Sequence, residues 1–365
     1  MNNQRPLDIL LCCPDFSREH GGIQQFSRLL ASALHASPST ARVHILSYPG
    51  TSSPLHKAAY AFRLVAAMLR RWDLCLFTHV GLARTVPILE LHGVPCWIFA
   101  HGIECWNIRR GGERRSLQRA ARVLAVSRHT RDRLLADLPE LDGRLEVFPN
   151  HVEQFPDFHT PQEEARRQLG LPSQSILLLT ISRLRHDRYK GHREILTALA
   201  ALGPARQNVH YVIAGDGEDR ESLQEETRLR GLADRVHFLG SIDERQRALA
   251  YDACDGFVMP STGEGFGIVF LEAMAHGKPV LAGGIDGSRD AVDAPACGVL
   301  VNPRDPAAVA AGLSELLSGI SATPPRWQPR LLQEYVRSHF GRHKLQERVD
   351  RLLEGFTKEK TRCVG

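Results

Sequence analysis

Lysine is scarce in this chain. Of its 46 basic residues six are lysine, and none lies between Lys57 and Lys190. Lys190 is therefore conspicuous in an arginine-rich sequence. Cysteine pairs at metal or redox spacing are missing too. The eight cysteines, Cys12, Cys13, Cys75, Cys96, Cys105, Cys254, Cys297 and Cys363, include no C-x-x-C. Most sit in apolar runs, as buried thiols do. A reduced, cytoplasmic setting fits them better than a disulfide framework or a zinc site. No run of 18 apolar residues occurs, so no membrane-spanning helix is expected. The opening MNNQRPLDILLCC lacks the layout of a signal peptide. There is no G-x-G-x-x-G, which removes the main support for a nicotinamide dinucleotide. The formal charge of +5 is too small to argue for a nucleic-acid partner, and none is expected.

What is present is a regular alternation. A chain of 365 residues is long for one core and natural for two domains. Strands are expected at Asp8–Cys12, Val43–Ser47, Leu74–Thr78, Cys96–Ala100, Val123–Val126 and Leu145–Phe148. A second series is expected at Ile176–Ile181, Val209–Ala214, Val236–Leu239, Gly256–Met259 and Pro279–Ala282. Helical periodicity lies between them, as in Ile23, Phe26, Leu29, Leu30, Ala33 and Leu34. This is an α/β chain with two doubly wound, Rossmann-like parallel sheets. Domains are expected over residues 1–160 and 161–328, with a linker near 150–172. Helices over 329–365 are expected to cross back toward the first domain. Ligands of such sheets bind beyond the carboxyl ends of the strands, here in a cleft between the domains.

The polar residues that follow strands are the candidates. Gly21-Gly22 opens a helix, where close backbone approach and free N–H groups suit a phosphate; a plain βα turn explains it equally. In "TISRLRHDRYKGH", Arg183 and Lys190 follow a strand. Two cations there can clamp a diphosphate and stabilise charge on a leaving group; a solvated basic loop is the alternative. His101 follows the strand ending at Ala100. In "STGEGFGIVFLEAMAHGKPV", Glu264 and Glu272 stand eight residues apart across Gly265, Phe266, Gly267 and Ile268. On a helix that separation is about 12 Å of rise and about 80° of rotation. The two carboxylates then address different ends of one extended ligand. A glycosidase pair would face a single bond from roughly 5–10 Å apart.

Taken together these segments resemble the retaining glycosyltransferases of family 4, which have the GT-B fold. The resemblance rests on "EGFGIVFLE", with its E-x7-E spacing. "AHGIE", "VLAVSRHTRDRL", "SRLRHDRYKGH", "VIAGDGEDR", "RVHFLGSID", "YDACDGFVMPS", "EAMAHGKPV" and "GVLVNPRDP" follow in the family's order. It implies transfer of a hexosyl group from a nucleotide diphosphate sugar to a glycan or lipid-linked acceptor. Arg183 and Lys190 would hold the donor diphosphate, Glu264 the transferred sugar and Glu272 the ribose. Backbone N–H groups at Gly22 and at Gly265, Phe266, Gly267 and Ile268 would meet donor oxygens. Residues 238–242 would flank the base, and His101 would stand near the reacting centre. No cofactor, protein nucleophile or metal is implied, and the chain has no D-x-D. Two positions depart from the pattern: His151 and Ser182 stand where the family often has glycine.

The acceptor side is less defined. Ala61, Leu64, Val65, Met68, Leu69 and Trp72 form a stripe among Lys57, Arg63, Arg70 and Arg71. Such a helix suits an anionic membrane surface, or packing on its own sheet. Residues 106–133 carry nine arginines against Glu113 and Asp132, a flank for phosphate groups or a solvated face. A nucleotide-sugar epimerase or hydrolase of the same fold is the competing reading.

Overall fold

The computed structural model describes residues 6–15, 21–48, 54–68, 70–108, 111–152, 159–186, 189–203, 207–322 and 325–362. The sequence readings at Leu69, Arg109, Arg110, Arg188, Cys363 and linker residues 153–158 lie outside these. So do the side chains of Lys57, Ala61 and Met68. The chain divides into two compact units, residues 1–153 with 340–365, and residues 154–339.

The first unit carries β1 (Leu7–Pro14), β2 (Thr40–Tyr48), β3 (Leu74–Phe77), β4 (Cys96–Ala100), β5 (Arg122–Ala125) and β6 (Leu145–Val147). They form one parallel sheet in the order β2-β1-β3-β4-β5-β6. Side chains alternate across a strand, so β1 feeds two cores. Leu7, Ile9 and Leu11 pack with Phe26 and Leu30 of helix Gly22–Ala36 and with Leu345, Val349 and Phe356 of helix Arg342–Arg362. Leu10 and Cys12 face the other way, toward Phe77, Val86 and Leu64. All seven described cysteines are buried and unpaired with one another.

The membrane stripe read from the sequence does not survive as one face. Leu64 and Trp72 are buried in the sheet core, whereas Val65 is exposed. Among the described side chains, the large apolar ones exposed on helix Pro54–Met68 are Leu55, Phe62 and Val65, spaced i, i+7 and i+10. The arginine-rich flank is also less free than a local count of acids implies. Acids from other elements reach it: Arg119 pairs with Glu90, and Arg122 with Glu146 and Glu359. Arg131 pairs with its neighbour Asp132. Arg114 donates to the carbonyls of Ile108 and Asp137.

The second unit carries β7 (Ile176–Ile181), β8 (Val209–Ala214), β9 (Val236–Gly240), β10 (Gly256–Met259), β11 (Val280–Gly283) and β12 (Gly298–Val301). Its parallel order is β12-β11-β10-β7-β8-β9. β12 was not among the expected strands. Strands β8 and β9 lie to one side of β7, and β11 and β12 to the far side of β10. The connections leaving β7 and β10 therefore run to opposite sides of the sheet, which makes the carboxyl ends of these two strands its switch point. In the first unit the corresponding reversal lies between β1 and β3.

Candidate active site

The loops that leave β7 and β10 are pinned together by backbone. The N–H of Thr262 donates to the carbonyl of Tyr189 at 2.9 Å. Gly191 ends the first loop with φ +80°, in the left-handed region. A Cβ there would lie 2.4 Å from the carbonyl oxygen of Pro260, so only glycine lets the loops approach this closely. Lys190, one residue earlier, is thereby fixed over the mouth of β10. Its Nζ lies 2.5 Å from Oε2 of Glu264, with both side chains 18% exposed. Burial works to lower the Lys190 pKa, but Glu264 and Tyr189 together outweigh it and hold the ammonium above the usual lysine value. The ammonium also lies 4.7 Å from the centre of the Tyr189 ring. Arg183 lines the same shallow pocket as Lys190, with Arg185, His192, Arg193 and Asp219. The two cations picked from the sequence therefore meet at one site.

Behind Lys190 runs a polar chain that the sequence reading did not anticipate. His192 Nε2 is 2.9 Å from Ser182 Oγ, and Nδ1 is 2.9 Å from the Tyr211 hydroxyl. Tyr211 meets Thr180 at 2.8 Å, and Thr180 donates to the carbonyl of Val258. Burial, then the charges of Lys190 and Arg193, lower the His192 pKa to about 4. The imidazole is neutral near pH 7. Ser182, one of the two departures from the family pattern, supplies a hydroxyl to this chain. The other departure, His151, is buried in the first unit.

The turn bearing Glu264 is organised by Asp286, a second unforeseen residue. This fully buried carboxylate accepts from Ser261 Oγ at 2.5 Å, from the Glu264 N–H at 2.7 Å and from the Ser288 N–H at 3.0 Å. Burial raises its pKa, and those hydrogen bonds oppose the rise. The Gly287 N–H returns a bond to the Glu264 carbonyl. The sequence signal was available: "GGIDGS" puts an acid two residues after a glycine pair at a strand end.

Helix Ile268–Ala275 starts at Gly267, whose φ of +89° turns the chain inward. The Phe266 ring is buried, which anchors the turn from below. Glu272 lies on that helix. Its Oε2 accepts from the Tyr251 hydroxyl at 2.8 Å, and Oε1 lies 3.7 Å from Arg247. Tyr251 and Arg247 come from helix Glu244–Ala253, too far in sequence to be paired with Glu272 by spacing.

In the first unit, His101 follows β4. Its Nε2 lies 3.0 Å from the carbonyl of Thr78, an acceptor only, so Nε2 carries the proton and Nδ1 the lone pair. Its backbone N–H donates to Glu104. Burial lowers its pKa to about 4 despite Glu104. Gly22 starts the helix whose Phe26 ring meets the His101 ring edge-on at 4.9 Å. Ser27 of that helix bonds Thr78 at 2.7 Å. Gly22 and His101 thus belong to one cluster at the β1/β3 reversal.

Residues 161–326 match the family model described as glycosyl transferases group 1. Residues 4–154 match the one described as glycosyltransferase family 4. The chain is a family 4-type member of the GT-B glycosyltransferases. A D-inositol 3-phosphate glycosyltransferase from Geodermatophilus obscurus is 34% identical over 225 residues, 59% of this chain and 47% of that protein. This GT-B chain spans about half the length of the curated relatives it matches. Sucrose-phosphate synthase from Thermosynechococcus elongatus superposes with TM-score 0.80 at 21% identity, covering 97% of this chain and 100% of that one. Anabaena HepE in complex with UDP-glucose gives TM-score 0.74 at 20% identity, over 96% and 100%. These two likenesses establish the fold.

Proposed function

We propose that this chain is a retaining hexosyltransferase. It moves a hexosyl group from a nucleotide diphosphate sugar to a carbohydrate or lipid-linked acceptor in cell-surface glycan synthesis. The observation that carries the reading is the Lys190–Glu264 pair, with Arg183 in the same pocket. Without donor, the ammonium and the carboxylate satisfy each other. With donor, Arg183 and Lys190 take the diphosphate and Glu264 takes hydroxyls of the sugar. Glu272, held by Tyr251 and Arg247, is positioned for the ribose, and residues 238–242 flank the base. Anabaena HepE, with UDP-glucose bound, has the same fold, which makes UDP-glucose the first donor to test.

In the reaction, the bond from the anomeric carbon to the diphosphate oxygen breaks. The acceptor oxygen bonds that carbon on the same face, and its proton passes to the departing diphosphate. Arg183 and Lys190 stabilise the charge that develops there, without a metal. Neutral His101 contributes a hydrogen bond near the reacting carbon, and the N–H groups of Gly22 and of residues 265–268 meet donor oxygens. Leu55, Phe62 and Val65, with exposed Arg63, Arg70 and Arg71 nearby, would rest on the anionic cytoplasmic face of a membrane that holds the acceptor.

A screen of UDP, GDP, ADP and their sugars tests the donor assignment. The right nucleotide raises the melting temperature by mass action. Charge-assisted hydrogen bonds contribute about 1.5–3 kcal/mol each, so Lys190→Ala or Arg183→Ala should weaken that nucleotide about 10- to 150-fold. Unchanged affinity in both variants would overturn the diphosphate role.

A further inference from the structure

At the opposite end of the helix that carries Glu272, three metal-ligand side chains converge. His276 follows the last residue of helix Ile268–Ala275. Its Nδ1 lies 2.8 Å from Oδ1 of Asp252. Nδ1 of His159 lies 3.0 Å from that same oxygen. The three ligand atoms all lie within 4.8 Å of one another. Asp252 is buried, His276 is 10% exposed and His159 is 40% exposed, so the cluster has a protected floor and an open side.

We propose that His159, Asp252 and His276 form a site for a borderline divalent cation of the zinc class. Two imidazole nitrogens and one carboxylate oxygen are a donor set that such ions favour. Bonds of about 2.0–2.2 Å around a tetrahedral ion place ligand atoms about 3.3 Å apart. The two ring-to-carboxylate distances, 2.8 and 3.0 Å, reach that value by opening a few tenths of an ångström. The two ring nitrogens, within 4.8 Å of each other, close toward it by small rotations of the exposed His159 ring. Three protein ligands leave a fourth position for water, on the side where His159 is exposed.

The surroundings suit this role. Oδ2 of Asp252 accepts from the Thr160 N–H at 2.9 Å, which leaves Oδ1 to the two rings. A metal on Nδ1 moves the proton of each neutral ring to Nε2. For His159 that nitrogen faces the Gln333 side-chain amide at 3.2 Å, whose oxygen can accept it after the amide turns over. The His276 ring stacks on Tyr251 at 5.1 Å, the residue that bonds Glu272. A metal here staples the segment at Thr160 to the helix end. It touches none of the residues assigned to the donor.

The competing arrangement is a metal-free one in which both rings donate N–H to Asp252. The two are separated by titrating chelator-treated, full-length protein with zinc chloride against a chromophoric zinc indicator. One equivalent per chain is expected, with a rise in melting temperature. His159→Ala removes an exposed ligand and leaves Asp252 and His276 in place. It should lose at least about 100-fold in affinity, the upper end of what even an outer-shell change costs. His276→Asn, which keeps a hydrogen bond to Asp252, should do the same. Absence of stoichiometric uptake overturns the proposal. So does wild-type affinity in His159→Ala, which would place the zinc on others of the 17 histidines.

Discussion

Single residues carry this site through what they hold in place. Asp286 touches no proposed substrate, yet two groups of the Glu264 turn and the N–H of Ser288 depend on its carboxylate. Asp286→Ala leaves two backbone N–H groups and a serine hydroxyl without that acceptor. A buried unsatisfied group costs about 1–3 kcal/mol, so urea denaturation should show a loss of several kcal/mol. Asp286→Asn, which keeps an acceptor oxygen, should lose less. Two buried imidazoles, His151 and His192, and the half-buried His101 contribute to the response to acid. Burial lowers the pKa values of His101 and His192 to about 4 and that of His151 to about 3. Unfolded, each titrates near 6.5. As pH falls from 6.5 toward 4, the unfolded chain takes up protons that the folded chain does not. Stability is therefore complete above pH 6.5 and declines below it, by about 1.4 kcal/mol per pH unit for each ring. Replacing His151 by leucine should make the acid limb shallower by that amount, read from denaturation midpoints. An unchanged slope would contradict the assignment.

Elements were the level most legible in the sequence. Cys96–Ala100, Ile176–Ile181, Val209–Ala214 and Gly256–Met259 are strands with the expected bounds, because each is a short, mainly apolar run stopped by a polar residue, glycine or proline. β12, Gly298-Val299-Leu300-Val301, was not read as a strand, although it is as short and glycine-led as Gly256–Met259. Glu264, Arg183 and Lys190 could be picked out because they follow strands. Asp286, Tyr251, Tyr211 and His192 could not be linked to them, since strand order decides those contacts and local spacing does not. Glycines show the same limit. Gly191 and Gly170 both have positive φ, +80° and +66°, but nothing lies within 4 Å of a Cβ on Gly170. Gly170→Ala should cost only the backbone strain, about 1 kcal/mol. Gly191→Ala must also displace the Pro260 carbonyl. It should cost clearly more in urea titration and should weaken nucleotide binding, which Gly170→Ala leaves intact.

At the scale of the molecule, two parallel sheets were readable from βα alternation, complete except for β12 at the edge of the second. The surface was not, because a helical stripe does not say which face meets the sheet. Leu64 and Trp72 went inside, while Leu55, Phe62 and Val65 stayed out. If that face meets a membrane, the protein sediments with anionic vesicles at low salt, and Phe62→Glu abolishes the effect. Equal binding to neutral vesicles would count against it. The most direct test of the central claim follows one variant through two assays. Wild type and Glu264→Gln are compared for hexosyl transfer from the best-binding nucleotide sugar to a panel of glycan and lipid acceptors, alongside nucleoside diphosphate affinity. Loss of a preorganised transition-state contact costs about 10²–10³ in kcat. The account predicts a loss of that size with nucleotide affinity held within a few-fold. Transfer by Glu264→Gln at the wild-type rate would contradict it.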